Sequence, residues 1–188
     1  MLSFELDLAQ LRATGAELGA NEKQVRLAVF AATRRTAGTL RTLSARGLKD
    51  ELQLRTINLL RKRLKTLRMA SDAFSARSAG LTVGLWYGLN DMPVSWFKGR
   101  PKRTADGAQA RGQNFPGAFV AQSDFKGRRT ILKREGRQRL PVREQNLDVK
   151  DQAETFIEDE IFVKVEEIFW KNFRRDLSAR VRFNIGER

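Results

Sequence analysis

The chain has 188 residues and contains neither cysteine nor histidine. Without cysteine there is no disulfide staple, no thiol nucleophile and no zinc–thiolate centre. Without histidine there is no Ser-His-Asp relay, and the commonest transition-metal ligand is missing. The lack of cysteine also fits a reducing compartment. No window approaches the ~20 uncharged apolar residues of a membrane-spanning helix, so no membrane partner is expected. The opening MLSFELDLAQLRATG carries acids early and lacks a basic start before an apolar run. It does not read as a signal peptide, and a soluble protein made in the cytoplasm is expected. Neither a G-x-x-x-x-G-K-[ST] phosphate loop nor a G-x-S-x-G elbow occurs. No cofactor is expected.

What the chain has is positive charge: 36 Lys and Arg against 22 Asp and Glu, net +14, with a pI near 11.0. A balance of that size points to a polyanion or an acidic protein surface as partner. The hydrophobic fraction of 41% is enough for a real core. The length suits one domain, 1–188, with 1–20 readable as an N-terminal arm and 97–113 as a flexible basic loop.

The charge is blocked. Residues 21–70 carry 13 bases and 3 acids, and residues 96–143 carry 13 and 3 again. Residues 144–188 reverse the balance, with 8 bases and 11 acids. Localised basic surfaces are therefore expected, rather than a uniformly basic shell.

Periodicity supplies the elements. FELD, Phe4 to Asp7, alternates like a short strand, and Asp7 is placed to cap a helix through LAQLRATGAEL that Gly19 ends. Asn21 is a good cap for a long helix with Glu22 in its first turn. Val25, Ala28, Val29, Ala32, Thr36, Leu40, Leu43 and Gly47 form its apolar stripe, with Arg34, Arg35, Arg41 and Arg46 off it. TINLLRKRLKTLRM, with Thr56 as cap, reads as a basic helix giving way to a strand near Lys65. GLTVGLWYGLN reads as a strand that Pro93 ends.

Trp96 to Gln113 shows no periodicity and reads as a long loop. NFPGAFVAQ and RTILKRE read as a β-hairpin, with Phe119 as inward anchor and Pro116-Gly117 setting the entry. LPVRE adds an edge strand. From about Val149 to Arg182 a second long helix is expected, with Ile157, Ile161, Val165, Ile168, Phe169, Phe173, Leu177 and Val181 as its stripe. Acids load its first half and bases its second, matching the helix dipole. The sum is an α+β fold: two long helices, one N-terminal and one C-terminal, packed on a mostly antiparallel sheet.

No constellation specifies chemistry. Glu158, Asp159 and Glu160 are consecutive, so on a helix they face different directions. NLDVKD holds an Asp148-x-Lys150 fragment of nuclease type, more simply read as the capped start of the last helix. An enzyme is not expected. Candidate contacts to a partner or to DNA are instead the bases Arg61, Lys62, Arg63, Lys65, Arg68, Lys98, Arg100, Lys102, Arg103, Arg111, Arg128, Arg129, Arg137 and Arg139. Trp86, Tyr87, Trp96 and Phe97 are of a type that stacks on bases, though such aromatics are more often core.

One set of segments goes further. AVFAATRRTAGTLRTLSAR, LLRKRLKTLRM, MPVSWFKGRPKR, FPGAFVAQ and GRRTILKREGRQRLPVRE follow one another ahead of a closing helix. In this order they resemble the lambda-type minor tail protein Z family, the tail completion proteins of long-tailed phages. Most telling are Pro116-Gly117-Ala118-Phe119, then Gly127-Arg128 about ten residues later, then LKREGRQRLPV. The resemblance implies a non-enzymatic virion protein at the head-proximal end of the tail, acting in head–tail joining. It implies a ring, six copies by tail symmetry, beside tail terminator, tail tube or head-completion proteins and the packaged DNA. A rival reading is a sequence-nonspecific nucleic-acid-binding protein.

Overall fold

The computed structural model describes residues 7–66, 85–122 and 127–186. Helices and antiparallel strands make an α+β fold, as expected. Two compact units are present where one domain was expected: Met1–Ala45, Arg63–Tyr87 and Ile157–Arg188 form the first, and Arg46–Lys62 with Gly88–Phe156 the second. Among the described residues no helix is long and apolar enough to cross a membrane.

The first unit is built on three helices. Asp7 accepts a hydrogen bond from the Ala9 N–H at 2.8 Å and starts α1, Leu8–Glu17. Gly19, at φ +70, ends the turn. Asn21 Oδ1 accepts from the Gln24 N–H at 2.8 Å, and Gln24 Oε1 accepts from the Asn21 N–H at 3.1 Å. This reciprocal box opens α2, Glu22–Glu51. Leu11, Val25, Ala28, Val29, Ala32, Phe169, Phe173 and Leu177 are all buried in one core cluster. Ala28 and Ala32 carry little side chain, which leaves room for the rings of Phe169 and Phe173, stacked at 5.9 Å. Residues 8–17 are therefore not an arm, because Leu11 anchors them in the core; most of the FELD strand lies outside the described residues.

The second long helix is interrupted. It comprises α4, Lys150–Phe156, then a π turn at Ile157–Ile161, a 3-10 turn at Phe162–Lys164, and α5, Val165–Arg182. Its apolar stripe repeats every four residues, and a strict four-residue repeat overruns the 3.6-residue turn by about 40° each time. The π turn takes up one such step at the start of the stripe, and Ile157, Ile161, Val165, Phe169, Phe173 and Leu177 are all buried. The same unit holds a ribbon of β1, Leu64–Thr66, and β2, Leu85–Tyr87, antiparallel with Lys65 opposite Trp86. The earlier part of GLTVGLWYGLN lies outside the described residues.

The second unit contains the end of α2 and the rest of the strands. Among its described residues, TINLLRKRLKTLRM yields one helical turn, α3, Asn58–Arg61; Ile57, not Thr56, is its N-cap and makes no side-chain cap bond. A two-residue strand β3, Met92–Pro93, precedes a 3-10 turn at Val94–Trp96. The expected loop at 97–113 is instead largely a meander: β4, Lys102–Thr104, β5, Gly107–Ala110, and β6, Gln113–Pro116, in that spatial order. Its turns are two-residue hairpins, Ala105-Asp106 and Arg111-Gly112. Both residues of the second have positive φ, +50 and +82, the geometry that matches strand twist.

NFPGAFVAQ is two strands, not one. Gly117, at φ +69, separates β6 from β7, Ala118–Gln122. β7 pairs with β8, Arg129–Arg134, which pairs with β9, Val142–Glu144. The expected hairpin and edge strand are both present. Phe119 is not the inward anchor, because Ala118 and Phe115 take the buried positions. Phe119 is opposite Leu132 and 36% exposed, with the Arg134 guanidinium 5.6 Å from its ring centroid. Finally β10, Asn146–Leu147, pairs with β3, and Asp148 accepts from the Lys150 N–H at 2.9 Å to open α4.

Candidate partner-binding surface

The second unit carries the larger share of the charge, 19 bases against 10 acids, so it holds +9 of the net +14. One part of it gathers arginines. The segment after α2 is tied to the segment after the 3-10 turn by a row of backbone bonds. The Arg55 N–H donates to the Trp96 carbonyl at 2.9 Å, Leu54 forms a bridge with Phe97, and the Lys98 N–H donates to the Gln53 carbonyl at 2.8 Å. This row sets Arg55 beside Gly99, and Arg55 Nη2 donates to the Gly99 carbonyl at 3.0 Å. Arg128 and Arg129 arrive from the start of β8, whose next residues, Thr130 and Ile131, are fully buried.

The result is a cleft of about 490 Å3 lined by Arg55, Gly99, Arg100, Arg128 and Arg129. Its described lining includes neither an acid nor an aromatic ring. Arg55 Nε is buried and has no hydrogen-bond partner among the described residues. A second cavity of about 50 Å3 shares Gly99 and Arg100 and has Val94, Phe97 and Leu147 in its wall.

A carboxylate links two of the neighbouring elements. Glu144 accepts from the Ser95 N–H at 3.0 Å and from the Thr130 hydroxyl, so β9 ties the 3-10 turn to β8. Asp50, near the end of α2, has its pKa lowered chiefly by a hydrogen bond from Lys49, then by the Lys49 charge, with Lys98 adding a smaller pull.

Of the expected contact residues, the fold brings Arg100, Arg128 and Arg129 together. Arg111 is outside the larger cleft but lines the smaller cavity with Lys98 and Arg100; its guanidinium lies 5.3 Å from the Phe97 ring and Nη1 donates to Gln53 Oε1 at 3.0 Å. Lys102 and Arg103 are exposed on β4. Arg137 and Arg139 are exposed between β8 and β9. Arg61 and Lys62 are exposed at the end of α3, and Lys98 is exposed outside the larger cleft. Arg63 and Lys65 belong to the first unit, where Lys65 Nζ lies 5.4 Å from the Trp86 ring. Arg68 lies outside the described residues.

Arg55 was not singled out from the sequence. Its one signal is a lone base among buried leucines, Leu52, Leu54 and Leu60, which marks a side chain with a local role. Of the aromatics, Phe97 is buried and Tyr87 and Trp96 are half-buried, while Trp86 is 44% exposed beneath Lys65. Among the described residues no three acids converge.

Comparison with known proteins finds no matching family model, no matching curated protein and no matching solved structure.

Proposed function

We propose that the chain is a structural virion protein of a long-tailed phage, completing the head-proximal end of the tail and taking part in head–tail joining. The observation that carries this reading is the ordered run of segments from Val29 to about Glu144, with the closing helix behind it, similar in order and spacing to the minor tail protein Z family. Those from Met92 to Glu144 lie in one compact unit. A subunit packed between unlike neighbours needs short, rigid elements with charged residues held outward. The β4–β5 hairpin, exposed at Lys102 and Arg103, suits that task.

The test is assembly. Particles made without the chain are expected to accumulate filled heads beside unjoined tails, and adding the purified chain should restore joining. Undiminished joining in its absence would overturn the reading. Lys102→Ala with Arg103→Ala should lower the joining yield while leaving the fold intact, since neither residue makes a described side-chain hydrogen bond or ion pair.

The arginine cleft supports a second reading, sequence-nonspecific nucleic-acid binding. Tight duplex binding with a steep log–log salt slope, and no incorporation into tails, would favour it.

A further inference from the structure

We propose that the cleft of Arg55, Arg100, Arg128 and Arg129 is a receptor for an acidic peptide segment of a partner protein, taking adjacent Asp or Glu carboxylates. The argument starts from the side chains. A guanidinium presents its N–H groups in a rigid fork that matches a carboxylate two bonds at a time. Four of them line one concavity together with Gly99. Arg55 is pre-set, because Nη2 is held by the Gly99 carbonyl while its buried Nε has no partner among the described residues. A fork already oriented loses less side-chain freedom when an anion arrives.

The same chemistry suits phosphates, so shape decides. Duplex DNA presents its phosphates on a stiff, convex cylinder, so it brings fewer anions into one concavity than a flexible chain does. Single strands are held by aromatic platforms, and the described lining offers no ring on which a base can stack. A flexible peptide meets neither obstacle. The smaller cavity beside it shares Gly99 and Arg100 and adds Val94, Phe97, Pro101, Ala110 and Leu147 together with Lys98 and Arg111, so an apolar side chain next to the acids finds apolar contacts there beside two further bases. Such a cleft would serve an acidic partner inside or outside a phage tail, so a failed peptide test leaves the tail role standing.

The experiment uses the full chain and fluorescein-labelled hexaglutamate, with hexaglutamine as neutral control and a short duplex DNA as competitor. Because the second unit is basic overall, with 19 bases against 10 acids, charge alone must be subtracted. Arg55→Gln with Arg129→Gln is compared with Arg137→Gln with Arg139→Gln, which removes the same charge from an exposed loop. Loss of two charge-assisted pairs should weaken hexaglutamate binding about tenfold or more. The loop pair, solvated and screened, should change it by about threefold or less. In the wild-type chain, Arg55 Nε–H should shift on titration with hexaglutamate, a readout that needs no variant. Equal losses in the two double variants, or an unmoved Arg55 signal, overturn the proposal. So does duplex DNA that binds through the cleft arginines while hexaglutamate does not.

Discussion

Gly47 of α2 leaves its space to the ring of Phe156 in α4, and a Cβ at position 47 would stand 2.7 Å from the ring's Cε1. Helix propensity alone favours Gly47→Ala by ~1 kcal/mol. Overlap with a stiff ring costs ~1–3 kcal/mol. Overlap wins, and a net loss of about 1 kcal/mol is expected in urea unfolding. Adding Phe156→Ala should reveal coupling, with the second change costing less in the Gly47→Ala background than alone. A Gly47→Ala protein more stable than the wild type would mean that the ring moves aside freely.

Asp176 of α5 is tied to α2 and to its own helix by charge. Its carboxylate accepts from Arg35 Nη1 and from Arg180 Nε, each at 2.6 Å, and its side chain is only 10% exposed. Arg35 is 48% exposed, so solvent screens part of that pair. Asp176→Asn keeps the shape and removes the charge, and a loss of ~1–2 kcal/mol is expected. Asp176→Ala should cost more, because the half-buried Arg180 loses its acceptor. Equal stability of both variants and the wild type, by thermal unfolding, would contradict this account.

Tyr87 is the sole tyrosine, so its ionisation can be followed without interference. Burial raises its pKa above the ordinary 10.0, and a hydrogen bond with Ser44, 2.9 Å away, opposes the rise. The unfolded chain therefore ionises first as pH increases. Tyr87 contributes stability in full below pH 10, and that contribution is lost as pH climbs from there through the folded pKa. Phenolate absorbance should give a native midpoint above that of the chain in strong denaturant; coincident midpoints would refute the burial.

Glu144 should matter beyond its own charge. Ser95 and Thr130 are both fully buried, and both donate to it. Glu144→Ala leaves two buried donors without an acceptor, at a cost of ~1–3 kcal/mol. Glu144→Gln retains one suitable oxygen and should cost less. Glu135→Ala, whose Arg143 partner is exposed, serves as the comparison and should shift stability by under ~1 kcal/mol. If Glu144→Ala behaves no worse than Glu135→Ala, the Glu144 tie is not what holds the 3-10 turn to β8.

The helices were the most legible part, and their reasons are local. Asp7 and Asn21 cap within three residues of themselves, and the Val25 to Gly47 stripe repeats within single turns. The meander at 97–113 was missed although its turns are written in the chain. Arg111-Gly112 is a two-residue hairpin turn, but the strands beside it, Lys102–Thr104 and Gly107–Ala110, are short and poor in β-branched residues. Pairing, not propensity, makes them strands. Phe119 was misassigned for a related reason: Gly117 turns the chain at φ +69, and the register beyond it turns Ala118 inward.

Charge and composition alone determined that the chain is basic in two blocks, that helix and strand are mixed, and that thiol and imidazole chemistry is excluded. Only the tertiary structure decided which bases act together. Arg55, Arg100 and Arg128 are separated by 45 and 28 residues along the chain. They meet because the Arg55–Trp96 and Lys98–Gln53 backbone bonds and the buried start of β8 bring three distant segments to one wall. Caps and periodicity act over a few residues, whereas that convergence depends on pairing between segments that carry no local mark of their partner.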